Sequence, residues 1–324
     1  MNRDDPQFYI QGVLEGNRRV LSQTLTLQES SLGQHKKLSR KILDGLMPHV
    51  GRSLRLGITG VPGAGKSTFI ESLGLDLAES GHRVAVLAVD PSSQKAGGSI
   101  LGDKTRMQKL SFHENTFIRP SPSGDTLGGV AAKTRESMLI CEAAGYDVIL
   151  VETVGVGQSE ISVAYMVDFF LVLLVAGAGD ELQGIKRGVL EAADGIAINK
   201  ADGKNQDRAL QAQQDLERVM EMTLPKSRVW QTPVLACSSV KEQGTRPVWD
   251  TVLAHQKLMK ETGEFQRRRK RQSLNWMWAL VEDGLKSRLN KNPDLADLIP
   301  RVSKQVCENR LSPLAAAHQV LDLF

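Results

Sequence analysis

Cysteine is scarce. Cys141, Cys237 and Cys307 are the only three in 324 residues, and they lie far apart. They match no disulfide or zinc spacing, which excludes a disulfide-built scaffold and points to a reducing compartment. The six histidines are scattered too, so there is no His-rich metal tract. An excess of charge is also lacking: 41 basic residues stand against 37 acidic ones, a net charge of +4. That balance gives no electrostatic ground for binding nucleic acid. Long hydrophobic runs are missing as well. The longest, FFLVLLVAGAG between Asp168 and Asp180, is too short to span a bilayer. MNRDDPQFYI at the start has an early acidic pair and no apolar h-region, so neither a signal nor a transit peptide is expected. The expectation is a soluble, cytoplasmic protein with no nucleic-acid and no membrane partner.

What is present is ordinary for a globular chain, 41% apolar and 24% charged. Residues 6 to about 50 carry leucines and valines at helical spacing, closed by Pro48 and Gly51. Short β-rich runs follow: SLRLGIT, RVAVLAV, DVILVE, FFLVLLVA, GIAINK and, from Pro233, PVLACSS. Helical segments such as STFIESLGLDLAES separate them, which argues for a parallel sheet with helices on both faces. From about 245 the pattern is helical to the end. The expected organisation is α/β, a P-loop NTPase domain over 51–262, with helical extensions over 1–50 and 263–324. In the last extension a basic run precedes Trp276, Met277, Trp278, Leu280, Val281 and Leu285. This reads either as a helix with a solvated face and an apolar stripe or as a subunit contact.

LGITGVPGAGKST has the spacing G-x-x-x-x-G-K-[ST], after a strand and before a helix. Glycines let consecutive N–H groups converge on one anion site, and the helix aims its positive end at the same place. The phosphate-binding candidates are Gly60, Val61, Pro62, Gly63, Ala64, Gly65, Lys66, Ser67 and Thr68. Lys66 is placed to neutralise the β- and γ-phosphates, and the Ser67 hydroxyl to ligate Mg²⁺.

GIAINKADG ends a strand on Asn199, Lys200, Ala201 and Asp202. A carboxylate there can accept from guanine N1–H and N2–H₂, a donor pair that adenine lacks. The asparagine braces the loop, and the lysine stem can cover the base face. Cys237, Ser238 and Ser239 follow the next strand, where backbone N–H groups can reach guanine O6. The nucleotide expected is therefore GTP/GDP.

VETVGVGQSE ends another apolar strand on Glu152. In a P-loop sheet a carboxylate in that place holds Mg²⁺, usually through water, and Gly155, three residues on, can offer its N–H to the γ-phosphate. Thr153 and Gly157 give a segment able to rearrange when that phosphate leaves. Val156 stands where many GTPases carry a water-orienting glutamine, so intrinsic hydrolysis is expected to be slow. Asp90 and Asp103 are further acids expected near the metal. In GDELQGIKRG, Asp180 is a helix N-cap candidate, and Lys186 and Arg187 are positive charges of a nucleotide-responsive, partner-touching segment that also holds Gln183.

Together GVPGAGKST, VDPSS, GGSILGDKTRM, RPSPSGDTLGGVA, ETVGVGQSE, GDELQGIKRG and NKAD resemble the MeaB/ArgK family of methylmalonyl-CoA mutase-associated GTPases. The resemblance covers nearly the whole chain. It implies a homodimer built through the C-terminal helices. It also implies a G-protein chaperone that assists loading and protection of an adenosylcobalamin-dependent acyl-CoA mutase. The family's Mg²⁺ ligands carry over as Ser67 and Glu152, with Asp90 and Asp103 in support, and its extra switch puts Lys186 at the mutase-facing position. Two other readings stay open from the residues: a P-loop kinase and a metal-delivery GTPase.

Overall fold

The structure is a computed structural model that describes residues 4–90, 107–122, 127–153, 159–176, 187–221, 229–241 and 244–323. Three helices come first: α1 (Pro6–Leu14), α2 (Arg18–Glu29) and α3 (Gly33–Leu46). Asp5 and Asn17 cap the first two by accepting from backbone N–H groups of the opening turn. The sheet is then laid down as β1 (Leu54–Gly60), β2 (Val84–Asp90), β3 (Thr116–Pro122), β4 (Val148–Thr153), β5 (Phe169–Val175), β6 (Gly195–Asn199) and β7 (Val234–Ala236). Between them run α4 (Lys66–Glu79), α5 (Gln108–Phe112), α6 (Leu127–Ala143), α7 (Ser159–Ala164), α8 (Arg187–Glu191) and α9 (Gln206–Glu221).

All the pairings are parallel, in the order β3-β2-β4-β1-β5-β6-β7. The chain moves outward from β1 in both directions, so β1 is the switch point where a ligand crevice opens at the strands' C-terminal ends. Alternation along the strands explains why both faces are covered. Leu56, Ile58, Val86, Leu150, Phe169 and Leu171 pack on one side with Phe69, Ile70 and Leu73 of α4. Their neighbours Leu87, Ile149, Val151, Phe170 and Val172 pack on the other with Met138, Ile140 and Cys141 of α6.

The sequence reading did not include β3. Its prolines, Pro120 and Pro122, argue against a central strand, and the strand in fact lies at the edge, paired with β2 alone. The N-terminal helices form an outer layer on α6. Polar ties reinforce it: Gln28 donates to Glu136, Arg119 of β3 pairs with Glu29, and Lys133 donates to the Glu29 carbonyl at 2.8 Å.

The chain divides into two compact units, Met1–Arg269 and Lys270–Phe324. In the first, α10 (Arg246–Glu261) packs through Val248, Trp249 and Val252 on the α4 face. The long α11 (Glu264–Lys291) begins in this unit, at the N-terminal ends of the strands. There Arg268 grips Asp194, just before β6, with contacts of 3.2 and 2.8 Å. Arg269 grips Asp168, just before β5, at 2.8 and 2.7 Å, and also donates to the Gly51 and Ser53 carbonyls. The second unit contains the rest of α11, then α12 (Pro293–Cys307) and α13 (Pro313–Leu321), packed around Leu295, Leu298, Val302 and Ala316. On α11, Leu274, Met277, Trp278, Val281 and Leu285 recur at helical spacing and are all exposed.

Candidate nucleotide-binding site

The phosphate loop starts where β1 ends and closes where α4 begins. Gly60 has φ of 151°, and a Cβ there would stand 2.2 Å from the Leu173 carbonyl oxygen. Gly65 has φ of 83°, and its Cβ would stand 2.7 Å from Asn199 Nδ2. Both positions therefore exclude a side chain, by backbone conformation and by space. Val61, Pro62, Gly63 and Ala64 make the turn between them, closed by the Ala64 N–H donating to the Val61 carbonyl at 3.1 Å. Lys66 is buried, and its ammonium donates to the carbonyls of Gly60 and Val61 at 2.8 and 3.1 Å. Its charge is thus held inside the loop. Lys66, Ser67 and Thr68 form the first turn of the 14-residue α4, whose N–H groups have no partner within the helix.

Glu152, buried at 7% exposure, sits on β4 beside β1, and Ser67 Oγ donates to its Oε1 at 2.9 Å. The chemistry of this donor pair is one that would suit Mg²⁺. Both donors are hard oxygens, and one is anionic. Thr153 was expected to belong to a rearranging segment. It is fully buried inside β4, and its hydroxyl donates to the Thr59 hydroxyl at 2.7 Å.

The base end is built on β6 and β7. Asn199 is buried and joins three pieces of chain. Its Nδ2 donates to the Ala64 carbonyl at 2.9 Å, and its Oδ1 accepts from Ser239 N–H at 3.2 Å and Ser239 Oγ at 2.8 Å. The Cys237 thiol points at the same Oδ1, 3.8 Å away. Burial pushes that thiol up to about 12, so it stays protonated and acts as a small packed group. Ser238 Oγ donates to Asp202 Oδ2 at 2.5 Å, fixing the carboxylate from below. Lys200 is exposed and adopts φ of 59°, a left-handed conformation uncommon outside glycine, with its carbonyl held by Asn205 Nδ2 at 2.9 Å. Cys237 N–H donates to the Ile198 carbonyl at 2.9 Å and Ser238 N–H to that of Gly244 at 3.4 Å. The N–H groups of residues 237–239 therefore brace the loop within the protein.

Asp103, Gly155, Gln183 and Lys186 lie outside the described residues, as do the side chains of Asp90 and Arg187. Of the remaining candidates, the fold gathers Gly60 to Thr68 with Glu152 at one end, and Lys200, Asp202 and residues 237–239 at the other. Asn199 joins the two. The sequence reading missed this long-range tie to Ala64, as well as the Thr59–Thr153 pair. A local signal for either does not exist, since the partners are 135 and 94 residues apart.

A parallel sheet with a glycine loop at its switch strand, a carboxylate facing the loop's serine and an N-K-x-D turn beside it defines a P-loop GTPase. The chain belongs to the family of methylmalonyl-CoA mutase-associated GTPases MeaB, whose model matches residues 21–294. A putative GTPase of Caulobacter vibrioides is 51% identical over 312 residues, 96% of this chain and 95% of that protein. The mouse (Mus musculus) mitochondrial methylmalonic aciduria type A homolog is 42% identical, over 97% of this chain and 78% of its own. A solved structure titled LAO/AO transport system kinase superposes with a TM-score of 0.80 at 39% identity, covering 100% of this chain and 98% of that one. As a member of a GTPase family, the chain binds guanine nucleotides and hydrolyses GTP to GDP and phosphate. Among the described residues no helix is long and apolar enough to cross a membrane.

Proposed function

We propose that this GTPase is a chaperone that times the loading and protection of an adenosylcobalamin-dependent acyl-CoA mutase. The family's description as mutase-associated supports the partner. The observation that carries the switch is Asn199, which ties the phosphate loop directly to the base-reading loop at 2.9 Å. Occupancy of one end is thereby felt at the other. In this mechanism Asp202, oriented by Ser238, accepts from guanine N1–H and N2–H₂, while the Lys200 stem covers the base. Lys66 exchanges the loop carbonyls for β- and γ-phosphate oxygens, and the first turn of α4 donates to the same phosphates. Ser67 and Glu152, with Asp90 and Asp103 in support, would hold Mg²⁺, which supplies charge neutralisation on the phosphates when bound. Gly155 reports the γ-phosphate, and Gln183, Lys186 and Arg187 face the mutase.

Valine at position 156 cannot orient water, so basal turnover is slow and the partner completes the site. The exposed stripe from Leu274 to Leu285 supports a homodimer through α11, and a solution mass of a single chain would remove that part of the reading. The main test is steady-state GTP turnover with and without the mutase from the same source. A marked rise on adding mutase is expected, with GTP preferred over ATP. Indifference to mutase would discard the client, and transfer of phosphate to a small acceptor in place of water would turn the reading to a kinase. Asp202→Asn is expected to shift preference from guanosine to xanthosine triphosphate; unchanged GTP preference would sink the base assignment.

A further inference from the structure

We infer that the buried hydroxyl pair Thr59–Thr153 is a positioning device that sets the gap between the phosphate loop and Glu152. The inference rests on the reading of Ser67 and Glu152 as the magnesium-holding pair. Among the described residues, the backbone ladder between β1 and β4 ends at Ile58 opposite Glu152. On their outer sides the same two strands stay paired further along: β1 with β5 as far as Gly60 opposite Leu173, and β4 with β2 as far as Val89 opposite Thr153. Between β1 and β4, therefore, the last level before the site is closed by side chains. Thr153 Oγ1 donates to Thr59 Oγ1 at 2.7 Å, with both residues no more than 1% exposed.

The alternation of the strands makes this pair the reverse side of the site. Ile58 belongs to the α4 face, and Glu152 meets Ser67 of α4 there, so Thr59 and Thr153, each one residue on, point to the opposite face. Thr59 immediately precedes Gly60, where the loop begins, and Thr153 immediately follows Glu152. A bond between them pulls together the two backbones that carry the loop and the carboxylate. Without it the two strands keep their outer neighbours but lose the tie between them at the level where a carboxylate and a serine must hold one cation. Valine would fill the same space with no donor, and serine would keep the donor with one methyl fewer.

The test uses the full chain loaded with a fluorescent GDP and follows nucleotide release as Mg²⁺ is titrated, with an EDTA reference. In the wild type Mg²⁺ slows release. Thr153→Val is expected to need about three- to tenfold more Mg²⁺ for the same slowing, with kcat for GTP reduced by a similar factor and release in EDTA unchanged. Thr153→Ser is expected to restore the wild-type titration. Thr59→Val, which removes the partner from the other strand, is expected to reproduce the shift if Thr153→Val fails to fold. A wild-type Mg²⁺ titration in either valine variant overturns the inference. So does a serine variant as impaired as the valine, since the methyl would then be the group that matters. Glu152→Gln separates the two levels. If it loses the Mg²⁺ response while the valine variants keep it, the inference fails and the metal reading stands. If it responds like the wild type, the metal reading fails and the inference goes with it.

Discussion

Replacing Asn199 by aspartate alters a single group, the amide nitrogen that faces the Ala64 carbonyl at 2.9 Å. The other oxygen can still accept from Ser239, so only the tie to the phosphate loop is cut. An ionised carboxylate there would place acceptor against acceptor in a buried site. Losing the bond while leaving the buried Ala64 carbonyl unsatisfied costs about 1–3 kcal/mol. For a unit spanning Met1–Arg269, an unfolding entropy of about 2.1 cal/mol/K per residue amounts to ~0.6 kcal/mol/K. The expected fall in Tm is therefore about 2–5 °C at alkaline pH. A protonated carboxyl can donate to the carbonyl and restore the bond. Burial and the facing oxygen both favour that neutral form, so they raise the folded-state pKa of the new group above its unfolded value. A raised group gives its stabilisation at low pH and loses it as pH rises through the folded value. The defect must then shrink as the solution is made more acid. Differential scanning fluorimetry of both proteins across pH, with fluorescent GDP displacement at each point, reads it. A variant that melts with the wild type at alkaline pH, or a defect that grows on acidification, would refute the reasoning.

Two further outcomes follow from buried charge in the first unit. Burial raises the Glu136 carboxyl, against the opposing pull of the Gln28 hydrogen bond and Lys133. The wild-type contribution is thus present at low pH and lost as pH rises, so Glu136→Gln is expected to gain stability over wild type near neutrality and lose that gain in acid; a pH-independent difference in chemical denaturation would contradict it. Arg269→Ala leaves buried Asp168, 5% exposed, with the Arg55 N–H but no counter-charge from Arg269, and removes a donor from two carbonyls, at a cost of about 3–5 kcal/mol or a Tm lower by roughly 5–8 °C. Arg269→Lys keeps the charge without the planar fork and is expected to recover only part of that loss; full recovery in thermal melts would show the fork to be unimportant.

Six of the seven strands announce themselves as apolar runs because each is covered on both faces, and such strands need no alternation. β3 does not, since the two prolines that suit an open edge are the same residues that disqualify a strand in a linear reading. The motif residues at the site are equally visible, because a phosphate loop and an N-K-x-D turn are local in sequence. What joins them is not. Asn199 reads as a brace for its own loop, yet its amide reaches Ala64. Thr153 reads as part of a segment that can rearrange when the γ-phosphate leaves, and nothing local in the sequence shows that its hydroxyl donates to Thr59. One joins a strand end to the phosphate loop and the other joins two strand ends; both are set by the order β4-β1-β5-β6 in the sheet, and that order is written nowhere in any one segment.

The prolines of β3 also govern how the molecule meets others of its kind. Pro120 and Pro122 are two residues apart, so their missing N–H groups belong to one side of the strand, and with the ladder to β2 continuing through Pro122 that side is the open one. At the far edge β7 is only three residues long and follows directly on Pro233. Neither border offers a row of donors long enough to template another extended segment. Among the described residues, both borders of the sheet are therefore poor templates for adding a further strand.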